Sequence, residues 1–302
     1  VRLAARQLNR TLLQRQHLLE RVDLSPHAMA EQLLGLQAQE SHSPYLSLHA
    51  RLASFDPYAV NRALEDRSLV RLLTMRGTIH LLTPEDALEL RPWTQPVIER
   101  GQRNHDDEVV PQFHRPLVQR PPRGTWKGGG GVEYAELEDW VGAPLREPDV
   151  PSIIRRYLRA FGPASAADVT AWSGITRLGP VVAAMDDLVR HEDEAGRVLY
   201  DVPEGVVTDA EAPAPVRLLG TYDNLWLSHA ARDRVATPDN RRRWMGPNGG
   251  AGMVLLVDGM LEGLWRRDGD RIGSVETFRA LTRREQAELD DEVARVEGLL
   301  AR

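Results

Sequence analysis

The stretch 161-FGPASAADVTAWSGITRLGPVVAAMDDLVRHEDEAGRVLYDVP-203 decides the fold. Ser165 stands where a helix N-cap is needed, with Asp168 three residues on to close a capping box. The short helix that follows ends at Trp172, before Ser173-Gly174. Leu178, Val181, Val182, Met185 and Leu188 then recur at helical spacing and predict another helix. From Val189 to Val202 the chain is charged and turns near Ala195-Gly196, which predicts a hairpin. Upstream, Ile153, Ile154, Tyr157, Leu158 and Phe161 mark one face of a helix that stops at Gly162. Helix, turn, helix and ribbon is the order of a helix-turn-helix with a wing.

Working outward, the same order occurs near the N-terminus. An amphipathic helix is predicted over about 4–20. Ser25-Pro26, Asp56-Pro57 and Thr83-Pro84 each place a cap residue before a proline suited to the first helical turn. Met29, Leu33 and Leu36 share a helical face. Leu69–Met75 and Thr78–Leu82 predict two strands around Arg76-Gly77. Residues 93–149 look irregular, with Pro121-Pro122 and Gly128–Gly131 as loop signals. Beyond them, Val216–Leu219, Leu225–Leu227, Met253–Val257 and Leu261–Trp265 predict short strands. A final helix opens on Thr282-x-x-Glu285 and carries Leu289, Val293, Val296 and Leu300 on one side. The reading is α+β, with tandem winged helix-turn-helix modules and a small C-terminal β-rich domain with a terminal helix. Its units are 1–92, 93–149 (a partial middle module), 150–205 and 206–302.

Composition narrows the function. The chain has 302 residues and no cysteine, which excludes disulfides, iron–sulfur clusters and cysteine nucleophiles. Its nine histidines show no metal-binding spacing, so no metal and no cofactor are expected. No apolar run reaches membrane-spanning length and the first residues carry no signal-like core, so a cytoplasmic monomer is expected. The net charge of −6 speaks against a nucleic-acid binder, but 37 of the 38 basic residues are arginine. Arginine suits phosphate, and a GC-rich genome would give the same bias. Arg115, Arg120, Arg123 and Lys127 form one basic stretch; Arg232, Arg234, Arg241, Arg242 and Arg243 form another. Both are candidates for DNA contact, with a solvated loop as the alternative. Trp126 reads as a core residue or a stacking platform.

Leu36-Gln37-Ala38-Gln39 carries the chemical interest. Two glutamines two apart face the same way only if the chain is extended there; on a helix end they are ordinary solvated residues. Asp223 and His229 are an acid/base pair or a buried brace, and Arg76 and His80 carry the same ambiguity.

These motifs in order resemble the azinomycin-resistance DNA glycosylase family of the AlkZ type. Gln37-Ala38-Gln39 is similar to its catalytic Gln-hydrophobic-Gln motif, and Met75–His80 to its first β-ribbon. Phe161–Ala164 with Trp172–Gly174 resembles a later winged helix. Tyr222–Leu225, Leu227–His229 and Arg232–Arg234 resemble its C-terminal signature. One departure stands out: the family's middle winged helix is represented only by a flank, around Arg115–Trp126. The resemblance implies a monofunctional glycosylase acting on duplex DNA that carries alkylated purines. Gln37 and Gln39 would be catalytic, with Arg76, His80, Asp223 and His229 in support. Unhooking of azinomycin-type crosslinks is implied too. A purine alkylated at N7 is already cationic and leaves without an acid, so two amides would suffice. An open cleft is expected, with Tyr45 the nearest aromatic. The alternatives are a non-catalytic winged-helix transcription regulator and a protein-binding scaffold.

Overall fold

A computed structural model describes residues 1–102, 111–245 and 252–302. The chain begins with a short strand, β1 (Arg2–Leu3), and α1 (Ala5–Arg15), shorter than the expected helix. The Ser25 side chain accepts from the Ala28 amide and caps α2 (Pro26–Gln32). Leu36 was expected on this helix. It lies instead on β2 (Leu36–Gln37), because Leu34 and Gly35 turn the chain at φ +53° and +90°. A Cβ at Gly35 would stand 2.4 Å from Leu82 Cδ2, so only glycine lets this turn pack so tightly.

Next comes α3 (Ser43–Arg51), buried at all nine positions. A helix wrapped on every side shows no amphipathic period, which is why no sequence pattern marks it. Asp56 caps α4 (Pro57–Glu65). Strands β3 (Val70–Leu73) and β4 (Ile79–Leu82) follow, joined through a 3₁₀ turn at Met75–Gly77. Thr83 Oγ1 accepts from the Asp86 amide at the start of α5 (Pro84–Gln102).

The expected boundary at 92/93 falls inside α5. Beyond α6 (Pro111–His114), β5 (Leu117–Gln119) pairs with β3, and β6 (Tyr134–Glu136) pairs with β5. One antiparallel sheet, ordered β2-β4-β3-β5-β6, therefore joins the first two expected units. Its β2–β4 and β3–β5 pairings link strands far apart in sequence, which local patterning does not report. A one-turn helix, α7 (Leu137–Val141), closes this part.

The stretch around 150–203 has the expected order: α8 (Val150–Phe161), α9 (Ala166–Ser173), α10 (Gly179–Ala183), β7 (Val189–Asp193) and β8 (Val198–Asp201). Ser165 and Asp168 form the capping box. α10 is shorter than its apolar spacing suggested, but Met185 and Leu188 beyond its end are still buried. β1 adds to the hairpin as a third, parallel strand.

The C-terminal part holds β9 (Arg217–Leu219), α11 (Asn224–Leu227), α12 (Pro238–Trp244), β10 (Met253–Val257), β11 (Met260–Asp268), β12 (Arg271–Thr277) and α13 (Arg283–Leu300). Residues 225–227 were expected as a strand; they are helical because the Asp223 side chain caps the turn. The sheet runs β12-β11-β10-β9. One hydrophobic core extends from Leu12 to Leu300 and includes residues of all four expected units. Within it Trp172 of α9 lies 5.1 Å from Tyr157 of α8 and 6.0 Å from Trp93 of α5. This aromatic junction carries the end of α9 to the turn between β3 and β4. No helix among the described residues is long and apolar enough to cross a membrane.

Candidate active site

Gln37 ends strand β2, and Gln39 lies in the bend that follows it. Gln37 pairs with His80 across β2 and β4, and the Ala38 amide donates to the Ile79 carbonyl at 2.7 Å. Gln37 is buried, whereas Gln39 is exposed.

Each side chain is held through its carbonyl oxygen. Arg76 Nη2 donates to Gln37 Oε1 at 2.7 Å. The Ile79 amide donates to Gln39 Oε1 at 3.1 Å. A guanidinium and a backbone N–H only donate, so neither amide can flip without losing its anchor. Each glutamine keeps its NH₂ and one further lone pair for other work.

Arg76 is placed for this task by a left-handed backbone, φ +55°, in the 3₁₀ turn. Its Nη1 donates to the Trp172 carbonyl at the end of α9. Its Nη2 also lies 3.2 Å from His80 Nε2. His80 Nδ1 lies 2.9 Å from the Thr78 carbonyl, which can only accept. Nδ1 therefore carries the proton and Nε2 accepts from Arg76. Burial, and then the Arg76 charge, push the His80 pKa down to about 3, so the ring is neutral at working pH. Burial and the neighbouring Arg232 lower Arg76 to about 10, which leaves it charged.

Among the described residues, Asp223 and His229 are not hydrogen-bonded to each other. Asp223 accepts from Arg51 Nη1 and Nη2, both at 2.8 Å, and from Ser47 Oγ at 2.6 Å. Both side chains of this ion pair are fully buried. Burial alone would raise the Asp223 pKa; the Arg51 charge holds it below the ordinary value. His229 lies 3.0 Å from Ser228 Oγ, and burial and Arg234 push its pKa down to about 3. Asp223 ties α3 to the start of α11, and neither residue hydrogen-bonds to Gln37 or Gln39 among the described residues.

The basic candidates divide. Arg234 is buried and donates to the Pro163 carbonyl at 2.8 Å, so it is corrected from a DNA contact to a structural strut. Arg115 pairs with Glu136, Arg120 with Glu133 at 3.3 Å and Lys127 with Asp270 at 3.7 Å. The stretch has no acid within it, but the fold brings carboxylates to it. Arg123 is half-buried in the loop before Gly124. Arg242 pairs with Asp239, and Arg243 with Glu276 at 2.9 Å. Arg241 is exposed, with no ion pair among the described residues. Arg232 is near enough to depress Arg76, and Arg241 to depress Arg232. Positive charge thus runs from the glutamines towards α12. Trp126 is a core residue, 5.0 Å from Tyr45 and 5.5 Å from His42.

Sequence reasoning missed Arg71. It is buried on β3, and its Nη2 donates to the Ala38 carbonyl at 2.8 Å, between the two glutamines. The available signal was an arginine inside the apolar run Val70-Arg71-Leu72-Leu73. Among the described residues, no group of three or more His, Asp or Glu side chains is placed to hold a metal.

A sequence profile described as DNA glycosylase AlkZ-like matches residues 30–115 and 110–299. The two matched stretches meet within the expected middle unit, 93–149. The interstrand DNA cross-link repair glycosylase of Streptomyces sahachiroi is 27% identical over 316 residues, covering 84% of this chain and 85% of that protein. That alignment is longer than this chain, so the relative carries residues with no counterpart here. The solved structure of the Streptomyces sahachiroi DNA glycosylase AlkZ shares the fold, with a TM-score of 0.79 at 22% identity, covering 100% of this chain and 98% of that one. With the family profile matched over most of its length, the chain belongs to the AlkZ-like family of DNA glycosylases.

Proposed function

We propose that this DNA glycosylase hydrolyses the N-glycosidic bond of N7-alkylated purines in duplex DNA, and that it unhooks interstrand crosslinks of the azinomycin type. The observation that carries the reading is the pair of anchored amides. Among the described residues, neither Gln37 nor Gln39 is bonded to a carboxylate, and the nearby His80 is a neutral acceptor. No group in hydrogen-bond contact with the pair is set to protonate a neutral leaving base. A purine alkylated at N7 needs no such proton.

Bond breaking gives the sugar oxocarbenium character, as in glycoside hydrolysis. The water must then be held close to C1′. Gln39, exposed and fixed at Ile79, offers its second carbonyl lone pair to a water proton. Gln37, buried and fixed by Arg76, offers its NH₂ to the water or the sugar. An amide is a poor base, so this work is orientation and electrostatics. The charge running through Arg76, Arg232 and Arg241 suits the phosphates beside the lesion. The paired arginines 115, 120, 242 and 243 can exchange weak surface partners for phosphate at little cost.

Crosslink repair is supported by the name of the relative from Streptomyces sahachiroi. It is supported too by the exposure of Gln39. A crosslinked purine cannot swing fully out of the duplex into a snug cavity. Tyr45 is buried against Trp126 and offers no platform for a flipped base. Family membership sets aside the regulator and scaffold readings. The test is base release from two duplexes side by side, one methylated at guanine N7 and one crosslinked through it. Release from both is expected. Release from the methylated duplex alone restricts the enzyme to simple adducts, and release from neither removes the reading.

A further inference from the structure

We propose that Arg71 is a positioning residue, a buried cation that holds the peptide between Gln37 and Gln39, and that the loop 121–126 exists to seal it in place. The proposal rests on the catalytic reading of the two glutamines.

Arg71 is 2% exposed. Its Nη2 donates to the Ala38 carbonyl, while Nε and Nη1 have no hydrogen-bond partner among the described residues. No carboxylate forms an ion pair with it among the described residues. Burial is the main influence on its pKa, lowering it to about 10. It therefore stays charged, in a place where a buried charge without a partner is costly. An apolar side chain would fill β3 more cheaply. The one bond Arg71 makes falls on the residue flanked by both glutamines. Stability alone does not account for that choice.

The loop completes the device. Gly124 has φ +82°, and a Cβ there would stand 1.4 Å from Arg71 Nη1. Only glycine allows this backbone to lie against the guanidinium. Tyr45 Oη donates to the Gly124 carbonyl at 2.9 Å, and Asn61 accepts from the Trp126 amide at 2.6 Å, so the loop is tied down on both sides of that contact. The stretch Pro121–Gly124 thus closes over Arg71, which fixes Ala38. Ala38 is held twice, through its amide by Ile79 and through its carbonyl by Arg71. The side chains on either side are then presented at a fixed spacing.

The experiment compares Arg71→Met, Arg71→Lys, Gly124→Ala and Gln37→Ala with wild type. Three quantities are read: the single-turnover rate of 7-methylguanine release, the Kd for duplex DNA, and Tm. Arg71→Met is expected to lose at least about tenfold in rate, with Kd unchanged and Tm equal to or above wild type. Arg71→Lys, which keeps a donor for Ala38, is expected to recover most of the rate. A purely structural role would lower Tm together with the rate. A wild-type rate in Arg71→Met overturns the proposal, as does a loss of rate that follows a loss of Tm. If Arg71→Met does not fold, Gly124→Ala decides: a slow, folded enzyme supports the proposal and an unimpaired one overturns it. A wild-type rate in Gln37→Ala, or no release by wild type, shows instead that the reading of the glutamines has failed.

Discussion

Gln37 and Gln39 are fixed by groups that can only donate, so each keeps a defined amide edge free. Replacing either by alanine is expected to slow base release at least about tenfold, equivalent to about 1.4 kcal/mol of barrier. Duplex affinity should change little, because phosphate contacts carry binding. Single-turnover kinetics with a parallel binding titration checks this. Asp223 offers the opposite signature. Asp223→Ala leaves Arg51 buried without its partner and is expected to cost about 3–5 kcal/mol of stability. The folded fraction should cut at the wild-type rate, read as active-site-normalised turnover beside a denaturant curve. At this scale the sequence was partly legible. The spacing of Gln37 and Gln39 was visible, and so was the ambiguity of Arg76 and His80. The partners of Asp223 were not, because Ser47 and Arg51 lie on a helix without an amphipathic period. Arg71 was hidden for a related reason: a charged residue on a strand ordinarily reads as its solvent face.

Among the elements, the turn from α2 into β2 matters most, since it converts what reads as a helix end into the strand that carries Gln37 and leads to Gln39. Gly35→Ala is expected to cost more than about 1 kcal/mol, because alanine is strained at φ +90° and its Cβ meets Leu82. Base release should fall with it, as β2 shifts against β4; thermal melts and release rates on one preparation test both. Caps were the most legible feature. Ser25, Asp56, Ser165 and Thr282 each accept from a backbone amide at the start of a helix. Short apolar runs were the least legible. Leu225–Leu227 reads equally as strand or helix until the Asp223 cap is seen. Strands β5, β6 and β12 carry too few alternating apolar residues to stand out from loops.

For the whole molecule, one shared core joins units that composition had divided at a loop-like stretch. The pairing of β3 with β5 across the expected 92/93 boundary is a long-range contact with no local signature. Three buried histidines give the folded state a pH dependence. His49, His80 and His229 are each pushed down to about 3, mainly by burial. An unfolded chain binds their protons near pH 6.5. Below that value the unfolded state holds more protons, so stability is full above about pH 6.5 and falls as the pH drops towards 3. The slope is at most about 1.4 kcal/mol per pH unit for each ring. Urea midpoints at pH 7.5, 6.0 and 5.0 should decline in that order, and a flat series would contradict neutral burial. In the proposed function, two anchored amides suffice because the base departs already cationic. The most direct measurement is single-turnover release from one duplex carrying both 7-methylguanine and uracil. 7-Methylguanine is expected to be freed and uracil to remain attached. Release of uracil at a comparable rate would contradict the proposed function, since a neutral base leaves only with help that the glutamine pair does not provide.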